Sequence, residues 1–437
     1  MRLLLSVSVN LCRLLLAAVF VFSGYVKAID PLGTQYKIQD YLAALSLPGL
    51  LPDWFTLLLS VGLSAVEFVL GIAILFAIRR RLASRLMLVF MVGMTVLSVW
   101  LAVANPVEDC GCFGDAVKLS NTETLAKNIV LLACSGLLVY RPLLMPRLIA
   151  KNNQWIVSNY SLVFILVSSM VSLYTLPPFD FRPYHVGADI RKGMEIPEDA
   201  QQPEFETTFV LSKDGRQETF TLDNYPDSTW EFVDSHTRMV KKGYVPPIHD
   251  FCIQTVDEGE DITERVLADK GYTFLLVSPH LDSADDSNFG SIDLIYEYAQ
   301  EQQVPFYCLT ASTGNAIQRW KDITGAEYPF CNTDETTLKT IIRSNPGLLL
   351  LKDGKVMRKW SHNALPDTGK LTEPLSRLEI GRQPDNSVLT GILGICGWYI
   401  LPLLLLTLAD RTWAWTKWLR NERNSNRILR ILKKKKK

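Results

Sequence analysis

Two cysteines flank a single glycine in "EDCGCFGDA", Glu108 to Ala116, of a 437-residue sequence. A Cys-Gly-Cys disulfide closes a very small ring, which glycine assists through its freedom at positive φ, and strained or exposed disulfides are the more oxidising kind. Cys110 and Cys112 are therefore candidates for thiol-disulfide exchange. Two other chemistries compete: a structural bridge, with one cysteine tied to a distant partner, and a metal site. A closed zinc site takes about four ligands, whereas all five histidines lie far along the chain in a polar stretch. The local field is mixed. Glu108, Asp109 and Asp115 oppose a thiolate, while the start of a following helix, capped by Ser120 with Glu123 three residues on, favours one.

A second chemical candidate is Glu67 in "LSAVEFVLG", in the middle of an apolar run. A carboxylate in hydrocarbon costs at least about 2.5 kcal/mol on insertion scales, so Glu67 is expected to face other helices, either moving protons or bonding to a neighbour. Lys27, at the end of the preceding apolar run, is its candidate partner, or it snorkels to the interface. Cys12, Cys134 and Cys396 fall within or at the ends of apolar runs and read as small hydrophobes. Three further cysteines, Cys252, Cys308 and Cys331, lie in the polar part, an odd count that leaves one free or paired elsewhere. A bridge from Cys308 to Cys331 is the expectation. Cys252 is then either a buried thiol or one that exchanges with the Cys-Gly-Cys loop.

These residues need elements to position them, and the sequence supplies membrane helices. Apolar runs long enough to cross a hydrocarbon core of roughly 30 Å crowd the first 176 residues and return once near the end. Six spans are read: Cys12 to Val26, Phe55 to Ile78, Leu82 to Ala104, Leu125 to Leu144, Trp155 to Leu176 and Val388 to Ala409. Net charge is zero, which excludes a strongly basic nucleic-acid binder, but the charges are unevenly placed. Arg79, Arg80 and Arg81 follow the second span; Arg141, Arg147 and Lys151 follow the fourth; the tail after Asp410 is densely basic. Positive loops stay cytoplasmic. Both termini are then inside, and the cysteine loop and everything from Pro177 to Ser387 lie outside. Without a clear small-x-small cleavage site, the first span reads as an anchor rather than a signal peptide. The tail's tryptophans and lysines suit an anionic inner leaflet, or simply flank a stop-transfer segment.

The chain divides into a four-span membrane domain (1–150), a fifth span and linker (151–182), a strand-rich segment (183–244), an α/β domain (245–386) and a sixth span with a basic tail (387–437). Short loops between the first four spans predict an up-and-down bundle. In the outer part, Asp214-Gly215 is a hairpin signal. Strands and helices then alternate: "YTFLLVS", "SIDLIYEYAQEQ", "PFYCLTAS", "GNAIQRWKDIT", "ETTLKTIIRS", and a hairpin around Asp353-Gly354. This order, with Asn345-Pro346 directly before a buried strand, resembles a thioredoxin-like domain. The resemblance implies a cis proline at Pro346. It also implies a redox dithiol after the first central strand, where this chain has "SPHLDSADD" and no cysteine. His280 stands there instead and reads as a surface residue at a strand end.

"FSGYVKAIDPLGTQYKIQDYL", "VEFVLG" and "CGCFGD" together resemble the membrane family of the methylamine-utilisation protein MauE and the related DoxX proteins, over roughly the first 145 residues. The resemblance implies a four-helix membrane protein, similar in design to the bundle of vitamin K epoxide reductase, that supports disulfide formation in an exported partner. Its cysteine pair carries over to Cys110 and Cys112, with Phe113 and Gly114 completing the motif. A thioredoxin-like companion, separate in that family, is here fused to the same chain.

Two functions follow as expectations. In the first, a multi-pass protein of the inner (plasma) membrane, its large domain periplasmic, passes a disulfide between an electron acceptor such as quinone and a thiol-containing exported protein. Cys110, Cys112 and Glu67 would carry the chemistry, and the outer domain, with Pro346, would hold the partner. In the second, the chain is a non-enzymatic docking or assembly protein with a degenerate thioredoxin-like module. The missing dithiol favours the second; the cost of Glu67 disfavours it. A transporter is disfavoured because no paired broken helices are visible.

Overall fold

The described residues of the chain fold, in a computed structural model, as six long apolar helices, two β-sheets and shorter helices. The structure describes residues 2–107, 109–197, 199–200, 204–213, 216–221, 231–241, 243–384 and 388–434; at 2, between 204 and 241, and at 388–389 and 418–434 it describes the backbone alone. Glu108 and the Asp214-Gly215 pair, both invoked from sequence, lie outside the described residues.

α1 (Arg2–Ile29) is followed by α2 (Pro31–Ala44), α3 (Asp53–Leu75), α4 (Arg80–Ala104), α5 (Asn121–Tyr140) and α6 (Gln154–Tyr174). All but α2, together with α12 (Val388–Lys434), are long and apolar enough to cross a membrane. α2 is a helix where the sequence suggested only a loop. Its signal is local: the Asp30 carboxylate caps it by accepting from Gly33 N at 2.9 Å, and Pro31 occupies its first turn. α5 opens with the expected capping box, Ser120 Oγ accepting from the Glu123 backbone and Glu123 accepting from Ser120 N.

The bundle core joins Leu16 and Phe20 of α1, Leu70 and Ile74 of α3, Met87 and Met91 of α4, and Leu131 and Leu138 of α5. α1 and α3 approach closely because two contact positions are glycine. A Cβ at Gly24 would lie 2.5 Å from Phe68 N, and one at Gly71 2.9 Å from Val21 N. That closeness brings Lys27 within reach of Glu67. α6 and α12 pack on the other flank, where Phe68, Val157, Ile165, Tyr399 and Leu403 are buried together and the Phe164 and Tyr399 rings lie 4.4 Å apart. At the bundle end opposite the cysteine loop, Asp410 accepts from Ala150 N and Asn153 Nδ2, each at 2.7 Å, and Arg411 donates to Arg147 O at 3.0 Å.

After a short α7 (Ile190–Met194), strands β1 (Glu204–Lys213), β2 (Arg216–Thr221) and β3 (Glu231–Lys241) form an antiparallel sheet in the order β2-β1-β3. The β1–β2 pairing runs from Thr208 opposite Thr221 to Lys213 opposite Arg216. The second sheet uses β4 (Gln254–Thr255), β5 (Tyr272–Ser278), β6 (Phe306–Thr310), β7 (Phe330–Asn332), β8 (Gly347–Lys352) and β9 (Lys355–Ser361), in the order β4-β7-β6-β5-β8-β9. α8 (Thr263–Leu267), α9 (Phe289–Glu301), α10 (Gly314–Thr324) and α11 (Glu335–Ile341) connect them. β5 runs parallel to β6 and antiparallel to β8, which is antiparallel to β9, and the Asn345-Pro346 bond before β8 is cis. The run β6-β5-β8-β9 with these directions is a thioredoxin-like sheet. The alternation read from sequence omits the short strands β4 and β7.

The expected Cys308 to Cys331 bridge is not formed: both are free, buried thiols. Cys308 is level with Phe330, and Cys331 with Leu309. Successive strand residues point to opposite faces, so Cys308 enters the core beneath α9 and α10, whereas Cys331 enters the opposite core with Ile253 and Leu338.

The stretch Leu176 to Pro183, expected as a linker, is packed down. Asp180 accepts from Arg182 Nε at 2.7 Å and from Lys359 Nζ at 2.8 Å, and Ser361 Oγ donates to Tyr174 O at 2.9 Å. Burial alone would raise the Asp180 carboxyl, but the charges of Lys359 and Arg182 carry it below the ordinary carboxylate range.

Candidate thiol-disulfide site

Cys110 and Cys112 are bonded to each other, with their Cα atoms 5.4 Å apart. The loop that holds them turns on its glycines. Gly111 has φ +62° and Gly114 φ +52°; a Cβ at the first would meet Lys37 Cγ at 3.0 Å, and one at the second would meet Val26 Cγ1 at 3.3 Å. Asp109 accepts from Gly111 N at 3.0 Å and pairs with Lys37 of α2 at 3.1 Å. Tyr41 of α2 donates to the Cys110 carbonyl at 2.5 Å. The disulfide packs against Leu97, Trp100 and Leu101 of α4, leaving Cys110 and Cys112 only 7% and 8% exposed.

Directly beneath the loop sits the intramembrane carboxylate. Glu67, 3% exposed, accepts from Lys27 Nζ at 2.7 Å. Lys27, 4% exposed, is thus its ion-pair partner and does not snorkel away. Ser23 Oγ lies 2.7 Å from Glu67 Oε2 and 2.7 Å from the Cys112 carbonyl oxygen. Its single proton serves one of those acceptors at a time. A cavity of about 30 Å³ adjoins this group, walled by Ser23, Lys27, Glu67, Cys112, Phe113 and Lys127, among others. That is room for one water, and it leaves no space for a quinone ring beside Cys112. Phe113 is held between Phe22, with centroids 5.6 Å apart, and Lys127, whose Nζ lies 4.3 Å from its ring centre.

The sheet domain reaches the same loop. Arg343, two residues before the cis Asn345-Pro346 bond, donates to Asp30 at 3.0 Å and to Asp115 at 3.3 Å. Burial alone would raise the Asp30 carboxyl; the guanidinium of Arg343, with Arg182 beyond it, lowers it below the usual range. Next to this latch a cavity of about 730 Å³ separates the loop end of the bundle from the sheet domain, lined by Gly111, Asp109, Phe181, Lys339 and Arg343, among others.

The structure thus gathers Cys110, Cys112, Glu67, Lys27, Phe113 and Gly114 into one place, with Pro346 reached through Arg343. It does not bring Cys308 or Cys331 there. Cys252 sits before β4 in hydrogen-bond contact with Thr263 and Asp261, and burial pushes its thiol up, away from reactivity. His280, at the position of the absent dithiol, is half-exposed and 2.9 Å from Glu335. No cluster of His, Cys, Asp or Glu among the described residues is arranged to hold a metal ion. Sequence reasoning missed Ser23, Tyr41, Lys127 and Arg343. Ser23 had a findable signal, standing one turn before Lys27 on the same helix face.

Residues 3–141 match the family model described as "Methylamine utilisation protein MauE". The first four spans form a MauE-like membrane domain. Residues 205–242, the region of the separate β1–β3 sheet, match a second model, "Domain of unknown function (DUF8463)". No curated protein matches the chain. A solution structure from Bacteroides thetaiotaomicron, provisionally assigned as a protein disulfide isomerase, is similar at 14% identity over 26% of this chain and 77% of its own. Its TM-score is 0.23, too low to carry an argument, and the thioredoxin-like assignment rests on strand order and direction.

Proposed function

We propose that this chain is a membrane thiol-disulfide exchange protein in which the Cys110–Cys112 disulfide accepts electrons from the thiols of an exported partner. The observation that carries this reading is the coupling of that disulfide to a buried ionisable group: Ser23 links the Cys112 carbonyl to Glu67, itself paired with Lys27. Ser23 therefore ties the backbone of the redox loop to the Lys27–Glu67 pair. A passive anchor gains nothing from such a group in hydrocarbon.

The basic loops at the opposite end of the bundle support an orientation with both termini cytoplasmic and the cysteine loop outward, in an inner or plasma membrane. The thioredoxin-like domain, lacking a dithiol, serves as the partner's dock, and the cavity beneath it is the approach to Gly111 and the disulfide. The name of the matched family points to maturation of a methylamine-utilisation-like client, reoxidation falling to a membrane electron acceptor such as a quinone that binds away from Cys112. Thiol trapping in native membranes, with titration of the purified protein against glutathione buffers, tests this. A reversible Cys110/Cys112 couple above about −300 mV is expected; a pair that stays oxidised under strong reductant overturns it.

One observation favours a second reading, a docking protein with a structural loop disulfide: both cysteines are under 10% exposed. The same titration separates the two.

A further inference from the structure

Thiol-disulfide exchange is directional: one sulfur is attacked and the other leaves as a thiolate, and the better-stabilised thiolate leaves faster. The surroundings of Cys110 and Cys112 differ in charge. Among the described residues around Cys110, Asp109 and Lys37 neutralise each other at 3.1 Å, and Tyr41 is spent on the Cys110 carbonyl. The apolar wall of Leu97, Trp100 and Leu101 of α4 is shared by both cysteines.

Cys112, unlike Cys110, also lines a small cavity with charged walls. α1 contributes Lys27, α3 contributes Glu67, and α5 contributes Lys127 to the small cavity that Cys112 also lines; from α4 come only Phe90, Met91 and Met94. The loop's own Asp115 is engaged by Arg343. Lys27 and Glu67 cancel as an ion pair, so the ammonium of Lys127 is the uncompensated charge of this wall. Its Nζ lies over the face of Phe113, the residue after Cys112, and its charge also interacts with those of Lys27 and Glu67. A lysine beside a thiol lowers the pH at which the thiolate forms.

We infer that Lys127 is a positioning residue that makes Cys112 the leaving thiolate and Cys110 the sulfur attacked by the partner. This rests on the exchange reading above. In the step, a partner thiolate attacks Cys110 Sγ, a partner–Cys110 disulfide forms, the Cys110–Cys112 bond breaks, and its electron pair goes to Cys112 Sγ beside Lys127. The protein disulfide is the oxidant and no further reagent is consumed.

The test uses the full-length protein in lipid nanodiscs. Reduced protein is alkylated with iodoacetamide from pH 6 to 9.5, and each cysteine is quantified by peptide mass spectrometry in C110S and C112S backgrounds. Cys112 is expected to react at lower pH than Cys110. Lys127→Gln should slow its alkylation at pH 7 about tenfold, the change in thiolate fraction for a one-unit shift, while Lys127→Arg retains the wild-type profile. An unmoved Cys112 profile in Lys127→Gln, or the lower-pH thiolate at Cys110, overturns the inference. A second measurement needs no variant: oxidised wild-type protein is treated with one equivalent of glutathione and acid-quenched. Glutathione on Cys110 supports the assignment, and glutathione on Cys112 refutes it. A couple that cycles reversibly with an unmoved Lys127→Gln profile removes Lys127 alone; a moved profile on a pair that never cycles removes the exchange reading and leaves the charge assignment standing.

Discussion

The membrane bundle and the thioredoxin-like domain divide fold and chemistry in opposite ways. The sheet domain keeps a thioredoxin-like strand order and the cis Asn345-Pro346 bond, yet the position after β5 holds Pro279, His280 and Leu281 in place of a dithiol. Two of its three thiols are buried: burial raises Cys308 well above the ordinary thiol range and pushes Cys331 up to about 11. The bundle, built from helices that could have been inert, carries the bonded cysteine pair, a buried ion pair and a hydrogen-bonded serine between them. The fold usually associated with thiol chemistry is here set over the bonded cysteine pair of the bundle. Arg343, binding Asp30 and Asp115 at once, joins the two.

The sharpest way to break this comparison is to remove thiols from each side. Cys110→Ser or Cys112→Ser should abolish the reversible glutathione titration, whereas Cys252→Ser and Cys331→Ser should leave it intact; a titration lost through the sheet domain's thiols would reverse the assignment. Next in size is the buried pair. Lys27→Met removes the ion-pair partner of buried Glu67, at a cost of about 3–5 kcal/mol, and Lys27→Met with Glu67→Leu should recover most of it in denaturant unfolding of the detergent-solubilised protein. A smaller effect is expected at the latch. Arg343→Gln should cost about 1.5–3 kcal/mol through its charged hydrogen bonds and should speed hydrogen exchange in the 109–118 loop without disturbing β5.

The latch also predicts a pH dependence. The Asp30 carboxyl is lower folded than unfolded, so its stabilisation is fully present above the unfolded value of about 3.9 and is lost as pH falls through the depressed one. Loop protection should hold flat from pH 7 to 5 and fail only in stronger acid; a loss near neutrality would mean that some other group controls docking. The smallest effect is expected at His280. It is half-exposed, and His280→Ala should change stability by no more than about 0.5 kcal/mol and leave the redox titration unmoved.

Much of this was legible in one dimension. Hydrophobic run length placed all six spans, because a bilayer imposes a length on any helix that crosses it. Glu67 announced itself by the cost of its position, and the Ser120–Glu123 box by its local spacing. The thioredoxin-like order could be read from alternating periodicities, yet Cys308 and Cys331 were paired wrongly, since a two-residue strand period fixes a face only once the register to the neighbouring strand is known. α2 was missed because its helical signal, Asp30 with Pro31 and Gly33, is short and resembles a turn.

The sequence by itself determined what kinds of groups this protein owns and roughly how deep each lies: six apolar spans, a cysteine pair at a helix end, a carboxylate that had to be buried, a sheet domain without its dithiol. Only the tertiary structure decided which of them meet. Ser23 stands between Glu67 and Cys112 because Gly24 and Gly71 let α1 and α3 close on each other, and Arg343 reaches Asp115 across more than 200 residues because the sheet domain is set down on the loop. Spacing along a chain encodes local geometry and burial cost. Contacts between distant segments depend on packing that no local pattern records.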